Sequence, residues 1–196
     1  MKGLFLSCLK LLDEKIIFPL RFNFLAKELS PHLKECKTVL DLGCSCGRMA
    51  KTIEENLKGV SFTGADVNIP PKTHIHVKKI KNDKLPFKSN SFDCVMMIDV
   101  LHHCKNPKKI IEEARRVAKK YILIKDHYWE NKLDWAYLKF GDYIGNKPYD
   151  IALPYNFFNM VEWNKVFKEY KLKIIYQKKF RTCQVGMKDI IFKLKK

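Results

Sequence analysis

The stretch TVLDLGCSCG, residues 38–47, decides how the rest of the chain is read. Thr38, Val39, Leu40 and Leu42 are β-branched or apolar, with only Asp41 among them, and read as a buried strand. Gly43, Cys44, Ser45, Cys46 and Gly47 follow, all small, and then a helical pattern over about residues 47–57. A strand that breaks into a small-residue turn and resumes as a helix is the first half of a βαβ unit. Such a turn brings backbone N–H groups and a helix N-terminus to the carboxyl end of a sheet, where nucleotide-like ligands bind. Glycine permits the sharp turn and leaves no Cβ in the way of a ligand.

Working outward, residues 60–65 form a second strand that ends in Asp66, 25 positions after Asp41. That spacing fits one helix and one strand, and an acid there can accept hydrogen bonds from both hydroxyls of a ribose. Residues 74–80 give a third strand. SFDCVMMI, residues 91–98, is near-continuously apolar, as in a strand buried on both faces. Pro107 opens a helix over 108–119, and 121–125 is the next strand. This alternation predicts an α/β fold with a doubly wound, mostly parallel sheet. Asn159 followed by Glu162 is a capping-box pattern that starts a helix over 160–169. Two further strands, 172–176 and 187–194, make an antiparallel C-terminal hairpin and bring the sheet to seven strands. Residues 1–34 read as N-terminal helices of the same domain, 4–17 and 21–30, separated by Pro19 and ended by Pro31. The domain proper runs over 35–196. Its segment 127–158, aromatic and carrying Gly141, Gly145, Pro148 and Pro154, reads as an insertion of the binding-loop or lid kind.

Composition narrows the function. A chain of 196 residues with 46% hydrophobic and 12% aromatic content has enough apolar mass for one folded core. No apolar run reaches the ~18–20 residues of a membrane span, and the start MKGLFLSCLKLLDEK is broken by Lys10, Asp13 and Glu14. An amphipathic helix and a cytoplasmic address are expected. Seven cysteines, an odd number in apolar contexts, point to reduced thiols. Cys44 and Cys46 make a C-x-C pair, but paired C-x₂₋₄-C knuckles are missing, so no metal is expected. The net charge of +17 suits an anionic partner. Yet only five of the 38 basic residues are Arg, the side chain whose planar fork reads phosphates and guanine edges. A nucleic-acid partner is therefore an alternative and not the favoured reading.

The turn itself argues about the cofactor. A pyrophosphate cofactor calls for G-x-G-x-x-G or a P-loop lysine, and neither occurs. Here an acid, Asp41, precedes the first glycine. It would repel a pyrophosphate and suit a ligand that carries an ammonium group, as a methionine moiety does.

VLDLGCSCG resembles the first motif of class I S-adenosylmethionine-dependent methyltransferases, FTGADV the second, and LPFKSNSFDCVMMIDVLHHC the stretch through the fourth strand in the ubiquinone/menaquinone-biosynthesis-like (type 11) subgroup. The resemblance covers about residues 35–126 and implies the Rossmann-like methyltransferase fold. It implies a cofactor site at Asp41, Gly43, Cys44, Ser45, Gly47, Asp66, Val67, Leu85, Asp99, Val100 and His103, with Ser45 in place of the family's middle glycine. The family's adenine-contacting Asp falls at Lys81, and a small register shift would restore Asp83. KDH, GDYIGN, ALPYNFF and EWNKVF, farther on, resemble small bacterial-type methyltransferases whose substrates are mostly unassigned. LPYN is not the NPPY-type motif of DNA amino-methyltransferases, which belongs just after the fourth strand.

The remaining polar residues each have a structural reading beside the functional one. His102 reads as a residue of a helix start, and His103 as lining of the cofactor site. His127 and Asp126 stand where a strand should end at the active face, and are the candidate bases. Asp142, Asn146, Tyr155 and Asn156 are candidate substrate contacts. The N-terminal helices are expected to cover the cofactor. The function expected is methyl transfer from S-adenosylmethionine to a small-molecule or lipid-like acceptor. The alternatives are an RNA methyltransferase and a methyltransferase-like binding protein without turnover. A nicotinamide oxidoreductase is disfavoured by the acid in the turn, and the oligomeric state is open.

Overall fold

Strand β1, Thr38–Leu42, is buried at four of its five positions and pairs in parallel with β2, Ser61–Asp66, on one side and β4, Phe92–Ile98, on the other. The computed structural model describes residues 18–147, 151–181 and 186–196, and the helix expected over 4–17 lies outside them. The remaining strands are β3 (Val77–Lys79), β5 (Ala118–Trp129), β6 (Phe158–Asn159), β7 (Lys173–Arg181) and β8 (Lys188–Lys195). The helices are α1 (Phe18–Leu29), α2 (Arg48–Asn56), α3 (Pro107–Val117), α4 (Lys132–Asn146) and α5 (Met160–Glu169). The strand order is β3-β2-β1-β4-β5-β8-β7, parallel as far as β5, with β8 and β7 antiparallel. The two-residue β6 pairs with the end of β5. This is the expected mostly parallel α/β sheet with an antiparallel C-terminal pair.

The period of two along each strand explains why the central strands read as continuous apolar runs. Leu40, Leu42, Val95, Met97, Ile122 and Ile124 face one core, against Ile111 and Ala114 of α3 and Trp163 and Phe167 of α5. Their neighbours Val39, Cys94, Met96 and Leu123 face a second core, against Leu25 and Leu29 of α1 and Ala50 and Ile53 of α2. A third, smaller cluster of Leu138, Phe157 and Met187 lies under α4. Among the described residues no helix is long and apolar enough to cross a membrane.

Two expectations need correction. Strand β5 does not stop at Lys125 but runs to Trp129, because β8 supplies a partner for every residue from Tyr121 to His127. The segment 127–158 is not an irregular lid: it holds the end of β5 and the fifteen-residue α4. Asn131 caps that helix by accepting the Asp134 N–H at 2.9 Å. Gly141 gives room for Met187, whose Sδ would lie 2.7 Å from a Cβ there. Pro19 lies in α1 at the start of the described residues, and the break expected before it between two helices falls outside them.

The Asn159 capping box is present, with the Glu162 N–H donated to Asn159 Oδ1 at 2.9 Å and the Asn159 N–H to Glu162 Oε2 at 2.7 Å. Replacing Asn159 by Ala should lower unfolding free energy by about 1 kcal/mol, read as a lower urea midpoint at constant m-value. An unchanged midpoint would mean that packing alone holds α5.

Candidate active site at the carboxyl ends of the parallel strands

The turn between β1 and α2 is built from left-handed backbone. Gly43 has φ 76°, Ser45 φ 50° and Gly47 φ 74°. Gly43 and Gly47 are required here because a Cβ would meet Val100 at 2.5 Å and Ile75 at 2.3 Å respectively. The apolar side chains of the protein thus cover the Cβ side of both glycines, and both amides are donated within the protein, Gly43 N–H to the Ala65 carbonyl at 2.7 Å and Gly47 N–H to the Cys44 carbonyl at 2.8 Å. Ser45 holds a conformation that costs an L-residue about 1–2 kcal/mol, which explains why glycine suits this position. Its N–H is donated to Asp66 Oδ2 at 2.6 Å, tying the turn to the end of β2, and Asp66 Oδ1 accepts the Asn68 N–H at 2.9 Å.

Asp41 lies beneath the turn, 3% exposed, and its Oδ2 has no hydrogen-bond partner among the described residues. Burial, and then the charge of Asp66, push its carboxyl up to about 7. Burial also raises the Cys44 thiol, with Asp41 and Asp66 adding to the effect, so this cysteine is a protonated thiol and a poor metal ligand. Val67 is 62% exposed beside Asp66. Asp83 is exposed, 3.8 Å from Lys109 Nζ. Leu85 differs from its expected role: its side chain is buried in the core and its N–H is donated to Glu113 Oε2 at 2.8 Å.

At the end of β4, Asp99 turns left-handed (φ 54°) and meets three nitrogen-bearing side chains. Arg21 reaches it from α1, Lys125 Nζ lies 2.6 Å away, and His127 Nε2 lies 3.6 Å away. Lys125 is fully buried and its ammonium also sits 2.7 Å from Asp189 Oδ1, while His127 Nδ1 is 2.8 Å from the same oxygen. Burial alone would raise the carboxyl of Asp99, but Lys125 and Arg21 hold it well below the ordinary range. Lys125 and His127 do the same for Asp189.

A second polar cluster adjoins the first. His102, in the short turn Leu101–His103, is buried, and its Nδ1 lies 2.5 Å from Asp126 Oδ1. Burial works against its charge, but Asp126 and then Asp142 raise it to about 10. Asp126 also accepts the Leu101 and His127 N–H groups at 3.0 and 2.7 Å. Both of its oxygens are therefore engaged, which removes Asp126 as a free base. His127 is a buried strand residue facing Asp99 and Asp189, not a loop residue at the surface. His103 is the more open imidazole, its side chain 18% exposed, and burial and then His102 lower its pKa. Asp142 is buried beside both rings and accepts from Asn146 Nδ2 at 2.6 Å. Asn156 braces the chain, donating from Nδ2 to the Cys104 carbonyl at 2.7 Å and from its backbone to that of His102 at 3.2 Å. Tyr155 lies under Lys139, whose Nζ is 5.0 Å from the ring centre.

The sequence reasoning thus missed Arg21, Lys125 and Asp189 and gave His102 only a bland role. A lysine and an aspartate inside the otherwise apolar YILIKDHYW and KDIIF were the available signal.

A parallel sheet in this order, a glycine-cornered turn after β1 and an acid ending β2 define a nucleoside-binding α/β fold of the methyltransferase type. Residues 40–122 match the methyltransferase domain family. Residues of this chain are 42% identical over 82 positions to an uncharacterised protein of Methanocaldococcus jannaschii (41% of this chain, 39% of that one). They are 30% identical over 97 positions to norajmaline N-methyltransferase of Rauvolfia serpentina (43% and 33%). They are 31% identical over 104 positions to the tRNA U34 carboxymethyltransferase of Pseudoalteromonas atlantica (45% and 31%). The matched segment thus spans well under half of each relative. The fold is shared with the SAM-dependent methyltransferase of Thermotoga maritima (TM-score 0.67, 20% identity, all of both chains). It is also shared with magnesium protoporphyrin IX methyltransferase of Synechocystis, solved with bound SAH (TM-score 0.64, 13% identity, 89% of this chain and 83% of that one).

Replacing Lys125 by Met leaves Asp99 and Asp189 without their shared ammonium in a buried setting, and should cost about 3–5 kcal/mol of unfolding free energy. Adding Asp189→Asn should recover part of that loss. Two losses that simply add in denaturant titrations would contradict the coupling.

Proposed function

We propose that the protein transfers a methyl group from S-adenosylmethionine to a small-molecule or lipid-like acceptor. The observation that carries this reading is the meeting, at one turn, of Asp66 at the mouth of β2 with the buried, unpartnered Oδ2 of Asp41 beneath the glycine turn. The donor set fits the cofactor. Asp66 and Val67 would hold the ribose and adenine side, with Asp83 as the adenine contact. The turn 43–47 and the carboxylate of Asp41 would hold the amino-acid end, with Asp99, Val100 and His103 lining it. When bound, the cofactor supplies a sulfonium methyl that is already electrophilic. What the chain adds is alignment and exclusion of water. Helix α1 delivers Arg21 to Asp99 and so closes that side of the site.

The acceptor side is framed by α4. Its inner face carries Asp142, while Leu133, Tyr137, Phe140 and Ile144 form an exposed apolar stripe, with Leu133 83% and Phe140 62% exposed. An apolar stripe beside the site favours an apolar acceptor. A second reading, an RNA acceptor, is favoured by the net charge of +17 and by the tRNA-modifying relative. An RNA acceptor would show binding that falls steeply with salt, and a small apolar acceptor would not.

Calorimetry with S-adenosylmethionine and S-adenosylhomocysteine should show one site, and Asp66→Ala should weaken both ligands about 10- to 100-fold with the fold intact. Release of S-adenosylhomocysteine with an acceptor then tests turnover; failure of both ligands to bind would overturn the reading.

The acidity of Asp41 sets a further expectation. A cationic ligand needs the carboxylate, so below pH 7 binding must expel a proton from Asp41. The dissociation constant should rise by up to about tenfold per pH unit as pH falls below 7 and level off above it, and Asp41→Asn should flatten the profile. A wild-type profile already flat from pH 5 to 8 would separate Asp41 from the ligand.

A further inference from the structure

His102 and His103, from the turn after β4, and Asp142, from α4, converge on one point. Asp142 Oδ1 lies 3.6 Å from His102 Nε2 and 3.7 Å from His103 Nε2, and the three atoms lie within 4.8 Å of one another. These separations are too long for good hydrogen bonds. Both rings turn their other nitrogen toward a group that can only accept. His102 Nδ1 faces the Asp126 carboxylate at 2.5 Å, and His103 Nδ1 faces the Ala152 carbonyl at 3.0 Å. An acceptor-only partner keeps one proton on Nδ1, so once the ring gives up its Nε2 proton on binding a metal, as His102 would have to, its lone pair points toward Asp142. Imidazoles that bind metals are oriented in this way, by a carboxylate or a carbonyl behind the ring. Independently, Asp142 is buried and its Oδ2 has no hydrogen-bond partner among the described residues.

We propose that His102, His103 and Asp142 bind one divalent transition cation of the zinc class, with a fourth position left open. Bonds of about 2.0–2.1 Å place tetrahedral donor atoms roughly 3.4 Å apart, so the two measured separations need to close by only a few tenths of an ångström. Two imidazoles and one carboxylate suit zinc and its neighbours better than magnesium or calcium, which take oxygen ligands. The other grouping of ligating atoms, Asp99, His127 and Asp189, already surrounds the Lys125 ammonium and has a cation in place. Three protein ligands with an open fourth position is the pattern of metal sites that meet a substrate. The open side is that of His103, the more exposed ring. An oxygen or nitrogen of the acceptor would bind there and give up its proton more readily. That role rests on the methyl-transfer reading; the binding of the metal does not.

The test is calorimetric titration of the chelator-stripped full chain with Zn²⁺, with Co²⁺ as a spectroscopic probe. The expected result is one equivalent at about micromolar affinity or better, with a visible Co²⁺ absorption of low-symmetry nitrogen and oxygen coordination. His103→Ala and Asp142→Asn should each lower the affinity at least tenfold, while Cys46→Ser binds as the parent does. His103→Ala decides the matter if Asp142→Asn fails to fold, because that ring is partly exposed. Absence of zinc uptake, or uptake that survives His103→Ala, would overturn the proposal. S-adenosylmethionine titrated into the same samples separates the two claims: cofactor binding without zinc binding sinks the metal site alone, and zinc binding without cofactor binding leaves it standing.

Discussion

The ammonium of Lys125 lies between Asp99 and Asp189, 2.6 and 2.7 Å from their oxygens, with no exposure to solvent. A lone charge so buried is unfavourable, and Lys125 does most to keep both carboxylates ionised there. The three residues come from β4, β5 and β8, so the pairing fixes how the antiparallel C-terminal strands register on the parallel sheet. Arg21 extends the same network to α1. The network sits at the carboxyl ends of the central strands, and it sets where the residues after β4 can go.

Those residues join the two halves of the candidate site. Asp99 leaves β4 in a left-handed conformation, Val100 then covers Gly43, and the chain turns through His102 and His103. One side of this turn meets the glycine corner and Asp41, the other meets Asp126 and Asp142. One short segment thereby adjoins both the glycine corner and the cluster of His102, His103 and Asp142, and both are anchored by buried charge rather than by loops.

Most of the fold was legible in the sequence because it rests on local signals. The boundaries of β1, β4 and α5 follow from apolar runs, glycines and a capping box, and they fall where those signals put them. The error at 127–158 has a physical cause. The end of β5 is held by pairing with β8 and by buried ion pairs, and α4 tolerates two glycines because Met187 packs against one of them. Such long-range terms leave no periodic trace. The site divides in the same way. Asp41, Gly43, Gly47 and Asp66 lie at fixed spacings within one βαβ unit and were readable from them. Arg21, Lys125 and Asp189 are far apart along the chain, and only the fold brings them together. Asp126 and His127 were noticed for their place near a strand end, but the longer strand turns them inward.

The central claim, that the corner after β1 receives an amino-acid-bearing nucleoside, is tested most directly by hydrogen–deuterium exchange of the full chain with and without S-adenosylhomocysteine. The account predicts slowed exchange at the amides of 43–47 and 66–68, and little change in β7, on the far edge of the sheet. Exchange at the corner that is indifferent to the ligand at millimolar concentration would contradict it.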